Sequence, residues 1–224
     1  IQNGERFIKT LKDLTKEKPV IVIKSGRSKR GAMAAASHTG SLAGSDDVFD
    51  KVMKQCGVLR ADTLEEAFNW SKFLASNPLP KGENTVIVTN GGGVGVMATD
   101  ACEKFAIDLI DDIELLTEIF KDATPEYGSL KNPIDITGGA VSDDYDIAIG
   151  AGLVTEKIDS VIALYCETAT FDTENLTSMV WENFQKYKRK GKPIVFSLLG
   201  GEKVEESIST LRERGVPVFN DIYE

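Results

Sequence analysis

A chain of 224 residues, 42% hydrophobic and 27% charged, holds enough apolar material for a well-buried core in one large domain or two of modest size. Its formal charge of -9 at pH 7 argues against a general nucleic-acid surface, because phosphate affinity comes from clustered Lys and Arg. Cys56, Cys102 and Cys166 are odd in number, far apart and outside any C-x-x-C pairing, which favours reduced, buried thiols in a cytoplasmic protein over a disulfide framework or a metal site, and no apolar run reaches the roughly 18 residues of a membrane span.

In chain order, Phe7, Ile8, Leu11 and Leu14 trace the apolar stripe of a first helix. The unbroken apolar run at residues 20–23 predicts a parallel strand covered on both faces. Residues 24–44 read as a loop of small and hydroxylated residues that holds His38, the single histidine. Ser45, Asp46 and Asp47 offer acceptors to cap a helix that carries Phe49, Val52 and Met53 and stops at Gly57. "VLRA" is a short strand, and Thr63 with Glu66 forms the capping box of a further helix. Two prolines and a glycine in "SNPLPKGEN" then interrupt the pattern, so residues 1–77 and 85–224 are expected to be separate units joined by a linker at 78–84.

The second half restarts the alternation. "TVIVTN" is a buried strand, "GGGVGVMATDACEKF" a glycine turn feeding a helix, and "DSVIALY" and "PIVFSLLG" are further strands. Helices are expected around residues 144–154, 175–187 and 204–214. Strands separated by helices of this length imply right-handed crossovers, hence an α/β protein of two doubly wound parallel-sheet units. Ligands of such sheets sit beyond the carboxyl ends of the strands, where both glycine-rich stretches fall.

Three stretches carry chemistry. "SHTGSLAG" places an imidazole before residues whose backbone N–H groups can cradle a phosphate, with Thr39, Gly40 and Ser41 as the candidates and a helix start just beyond. Lys24 and Arg27, in the basic cluster at residues 24–30, are candidates to neutralise an anionic substrate; a solvated loop face is the plainer reading of that cluster. The turn at Asn90, Gly91, Gly92, Gly93 and Val94 aims a second helix N-terminus at an anion. It also holds a short Rossmann-type pattern at Gly93, Gly95 and Ala98, with Asp108, Asp111 and Asp112 near the spacing of a ribose-binding acid. In "KNPIDITGGA", Asn132 and Thr137 are candidates to bind a carboxylate or acyl group, although by spacing alone the stretch is equally a structural turn.

"KSGRSKRGAMAAASHTGSLAG", "VTNGGGVGVMATD" and "KNPIDITGGA", in that order, closely resemble the NDP-forming acyl-CoA synthetases of the succinyl-CoA synthetase superfamily. The resemblance covers essentially the whole chain and implies succinyl-CoA synthetase-like, flavodoxin-like units. It implies a reversible reaction: acyl-CoA and phosphate give an acyl phosphate and free CoA, and the phosphoryl group passes to the histidine matching His38 and then to ADP. It directs two helix N-termini at the phosphohistidine and so brings both glycine turns to one cleft. It also assigns Asn132, Asp135, Thr137, Gly138 and Gly139 to the acyl end of that cleft. The implied substrates are CoA and ADP/ATP with Mg²⁺, and no tightly bound cofactor is expected.

The family's amino-terminal CoA-binding domain, its ATP-grasp domain and the glutamate that orients the histidine have no counterpart here, so the chain reads as a piece of something longer, inactive by itself. The first sheet is expected to be incomplete at its amino-terminal side, to be completed by partner chains or by a homo-oligomer with swapped strands. Two other classes remain open. A non-catalytic module sensing acyl-CoA or acyl phosphate would not need His38 in an intact motif, and a nicotinamide-dependent oxidoreductase module would need the Gly93 to Ala98 pattern and an acid near Asp111.

Overall fold

The computed structural model describes residues 1, 3–40, 44–171 and 173–223. The chain divides into two compact units, Ile1–Leu74 and Ala75–Glu224. Among the described residues, no helix is long and apolar enough to cross a membrane.

The first unit begins with α1 (Gly4–Glu17), opened by Asn3, whose side chain accepts from the Arg6 N–H at 2.9 Å. Strand β1 (Ile21–Ile23) follows, then α2 (Lys29–Thr39), α3 (Asp46–Gln55), β2 (Leu59–Ala61) and α4 (Leu64–Ser76). The strands pair in parallel, Ile21 against Leu59 and Ile23 against Ala61. Leu11, Met53, Cys56 and Val58 form the core, with Phe7, Ile8, Val22, Phe49 and Val52 packed around it. Gly57 ends α3 in a left-handed conformation, φ +69°. The box at Thr63 and Glu66 opens α4, with the Glu66 N–H on Thr63 Oγ1 at 3.0 Å and Glu66 Oε2 taking the Asp62 N–H at 2.6 Å. Two expectations change here. Ile23 is 43% exposed, so β1 is not covered on both faces. The stretch read as a loop is helical from Lys29 to Thr39, because Ser28 caps the Gly31 N–H at 3.0 Å and the alanine run that follows is strongly helix-forming.

The second unit contains β3 (Thr85–Thr89), α5 (Gly92–Lys104), α6 (Ile113–Phe120), β4 (Ile134–Asp135), α7 (Ser142–Val154), β5 (Ser160–Cys166), a short 3-10 turn (Thr173–Asn175), α8 (Leu176–Lys190), β6 (Ile194–Leu199), α9 (Glu202–Glu213) and β7 (Val218–Phe219). All pairs are parallel, in the order β4-β3-β5-β6-β7. Counted within the unit this is 2-1-3-4-5, the flavodoxin-like order, and the direction of winding switches between β3 and β5. β3 is buried throughout, and its alternate side chains serve two cores. Val86 and Val88 join Leu116, Phe120, Ile149, Phe184 and Leu211, while Ile87 joins Ala98, Cys102 and Leu164. Helices therefore cover both faces, α5 on one and α6 to α9 on the other.

Buried polar groups fix the layers. Tyr145 donates to the Leu164 carbonyl at 2.8 Å and Tyr187 to that of Ile149 at 2.6 Å. Lys192 Nζ closes the carboxyl end of α7 on the carbonyls of Gly152 and Thr155, at 3.0 and 2.6 Å.

Candidate functional site

In the first unit His38 stands exposed in the last turn of α2. Gly40 closes that helix in a left-handed conformation, φ +66°, and its N–H donates to the Ala36 carbonyl at 2.9 Å. Of the expected donors after the histidine, the described ones are taken up by the helix end. Thr39 belongs to the helix and the Gly40 N–H is engaged, while Ser41 lies outside the described residues. What the fold supplies is an exposed imidazole at the carboxyl end of α2.

Lys24 and Arg27 do not form an open anion site either. Lys24 Nζ reaches Asp46 at 3.1 Å, and Arg27 reaches Asp46 at 3.5 Å and Asp62 at 2.5 Å. Arg60 joins them with a fork on both Asp46 oxygens, 2.7 and 2.8 Å, and a third bond to Asp50 at 3.1 Å. The Arg60 hydrogen bonds, helped by Lys24, pull the Asp46 carboxyl down to about 2. Lys24 and Arg60 also lie over the Phe49 ring, 5.7 and 5.5 Å from its centre. The cluster holds the start of α3 to β1 and β2, and Asp46 and Asp47 oppose the positive end of that helix.

In the second unit three segments meet at the switch point, beyond the carboxyl ends of β3, β4 and β5. The first is the glycine turn. Gly91 is the N-cap of α5, and no acidic residue lies in that helix's first turn, whereas α7 begins with Asp143 and Asp144 and α9 with Glu202 and Glu205. A β-carbon on Gly91 would lie 2.9 Å from Cys166 Sγ, and one on Gly92 3.0 Å from Asp135 Oδ2, so the backbone approaches both neighbours as only glycine can. Gly93 instead faces open space, with nothing within 4 Å of an added β-carbon. Val94 is half-buried beside it.

The second segment follows β4. Asp135 Oδ1 accepts the Thr137 N–H at 2.8 Å, and Thr137 holds φ +71°, a region rare for a β-branched residue and costing on the order of 1–3 kcal/mol. Gly138 and Gly139 are exposed beyond it. The third segment, at residues 166–170, was not singled out in the sequence. Thr170 Oγ1 donates to the Gly138 carbonyl at 2.8 Å and lies 3.1 Å from Thr168 Oγ1. Glu167 turns away to accept the Gly201 N–H at 2.6 Å, leaving Asp135 as the acid beside the glycine turn. Burial, and to a lesser degree the Asp135 charge, push the Cys166 thiol up.

Two candidates have other work. Asn132 reaches back along β3, its Oδ1 accepting from the Ile87 N–H at 2.9 Å and its Nδ2 donating to the carbonyls of Thr85 and Ile110 at 2.8 and 3.1 Å. The amide is fully engaged with backbone, ahead of a cis peptide bond to Pro133, and is not free to hold an acyl group. Asn90 is 3% exposed, and its amide is engaged with the Cys166 backbone. The acids required by a nicotinamide module sit at the wrong end of the sheet. The Thr85 N–H donates to the Asp108 carbonyl, so residues 108–110 flank the amino end of β3, and Asp112 caps α6 through the Leu115 N–H.

Residues 1–74 match the succinyl-CoA ligase-like flavodoxin domain, and residues 85–224 match the ligase-CoA domain. The chain belongs to the ligase-CoA family. This ligase-CoA chain is 48% identical over 219 residues to the acetate–CoA ligase (ADP-forming) I subunit alpha of Pyrococcus furiosus, covering 98% of itself and 47% of that protein. It is 37% identical over 219 residues to the 4-hydroxybutyrate–CoA ligase (ADP-forming) of Nitrosopumilus maritimus, covering 97% of itself and 31% of that relative. Among solved structures, dinucleotide-forming acetyl-coenzyme A synthetase 1 of Ca. Korarchaeum cryptofilum, in complex with phosphate and ADP, superposes with a TM-score of 0.91 at 37% identity, over 98% of this chain and 47% of that one. The ligase-CoA chain thus spans less than half the length of these relatives, at most 47%.

Proposed function

We propose that this chain is part of an ADP-forming acyl-CoA ligase in which His38 carries a phosphoryl group. Acyl-CoA and inorganic phosphate give an acyl phosphate and free CoA. His38 takes the phosphoryl group and releases the acid, and ADP then takes it from His38 to become ATP. The observation that carries the reading is the exposed imidazole of His38, the single histidine, in a chain 48% identical to a subunit of an ADP-forming acetate–CoA ligase. Neutral imidazole attacks phosphorus without first losing a proton, and small neighbours leave its line of approach clear.

In this reading the N–H groups at Gly91 to Val94 bind a phosphate, since backbone donors at a helix N-terminus hold charge with little reorganisation. Thr137, Gly138 and Gly139, with Asp135 fixing the turn, face the acyl end. Lys24 and Arg27 act indirectly, by holding α3 in place. CoA and ADP/ATP with Mg²⁺ are substrates held by a CoA-binding domain and an ATP-grasp domain or subunit outside this chain, and the enzyme works in the cytoplasm, where its free cysteines stay reduced. A sensor module gains no support from any observation here.

The test assembles the chain with the rest of its ligase and measures ATP formed from acyl-CoA, ADP and phosphate. His38→Asn should abolish turnover with an unchanged melting temperature, because the side chain is exposed at a helix end. Turnover that survives the substitution would move the carrier elsewhere.

A further inference from the structure

The main-chain ladder between β3 and β5 ends where Thr89 stands opposite Leu164. Beyond it a side chain continues the pairing. Asn90 Nδ2 donates to the Cys166 carbonyl and Asn90 Oδ1 accepts from the Cys166 N–H, both at 2.8 Å. A primary amide offers the same donor and acceptor as a peptide group, so the two strands stay joined at the point where their main chains part. On one side of this bridge lies Gly91, the N-cap of α5. On the other lies Cys166, whose Sγ fills the place beside Gly91 that a β-carbon would need. From Cys166 the chain runs to Thr170, which donates to the Gly138 carbonyl and so ties the strained turn at Thr137 to the same support.

We propose that Asn90 is a positioning residue. Its amide sets the spacing between the start of α5 and the segment at residues 166–170, so that phosphate meets donors already in place. The inference rests on the ligase reading above and gives Asn90 a role through the backbone of its neighbours.

Thr85 supplies the control. Its Oγ1 lies 2.7 Å from Ser160 Oγ, linking the same two strands at their opposite ends. In the assembled ligase, Asn90→Ala should raise the KM for inorganic phosphate or lower kcat by about ten-fold or more, as expected when reacting groups lose their alignment. Thr85→Val should leave both within about two-fold. Asn90→Asp keeps the acceptor for the Cys166 N–H but sets a buried carboxylate oxygen against the Cys166 carbonyl, so it should lose at least as much as Asn90→Ala. If Asn90→Ala does not fold, Asn90→Ser, which keeps a small polar side chain without bridging both Cys166 groups, gives the same comparison. Melting temperatures measured alongside separate positioning from simple loss of stability. Equal kinetic losses in the Asn90 and Thr85 variants, or normal phosphate kinetics at Asn90→Ala in an active enzyme, would overturn the inference alone. A wild type without phosphate-dependent turnover would remove the ligase reading and this inference with it.

Discussion

Gly91 and Gly93 lie two residues apart in one turn and answer to different demands. At Gly91 the neighbouring Cys166 leaves no room for a side chain, so glycine is required by packing alone. Gly93 is helical and faces open space, where packing demands nothing. Glycine inside a helix costs roughly 0.5–1 kcal/mol relative to alanine, so its use there points to a need for clear space in front of the α5 amides. Gly93→Ala should therefore stabilise the second unit by about that amount while weakening phosphate use several-fold in the assembled enzyme. Thermal melts and phosphate KM values measured on one preparation check both halves, and a stabilised variant with unaltered phosphate kinetics would mean that this space is not where phosphate binds. The glycine turn itself was legible in the sequence, as three glycines between a buried strand and a helix, with tight packing and an anion both open as its purpose. The different duties of its members depend on Cys166 and Asp135, distant residues that only the folded sheet brings alongside.

Among elements, α2 shows most clearly where reading by residue type fails. Small side chains around His38 read as an open loop, yet Ala is the strongest helix former, and Ser28 starts a helix that delivers the histidine at its far end. Lys24 and Arg27 looked like a site for anions, but their charges are matched by Asp46 and Asp62, 22 and 35 residues away in sequence. That cluster gives the first unit a defined response to acid. The folded state holds Asp46 at about 2, below its ordinary 3.8, through Arg60 and then Lys24, and Asp50 shifts the same way through Lys54 and Arg60. A depressed carboxylate contributes stability that is complete above its ordinary value and is lost as pH falls toward the folded one. The first unit should therefore lose stability between about pH 4 and pH 2. Asp46→Asn should lower stability near neutrality and flatten that decline, as followed by hydrogen exchange within residues 1–74. An unchanged acid slope in the variant would show that the Arg60 network does not hold the unit together.

At the scale of the whole molecule, the alternation of apolar strands and helices is enough to specify parallel α/β units, since βαβ crossovers leave few other arrangements. The flavodoxin-like order was available only through family resemblance, because β4 and β7 are two residues each and carry almost no pattern of their own. The same holds for chemistry: a lone exposed histidine is compatible with many roles, and the one proposed for His38 comes from the family resemblance and not from its surroundings. The most direct measurement of that role assembles the chain with the remaining parts of its ligase, supplies radiolabelled ATP with Mg²⁺, and maps the label by digestion and mass spectrometry. The account predicts phosphate on His38, labile to acid and stable to base, discharged by ADP and absent from the His38→Asn variant. Label on another residue, or an active wild type that never carries label on this chain, would contradict it.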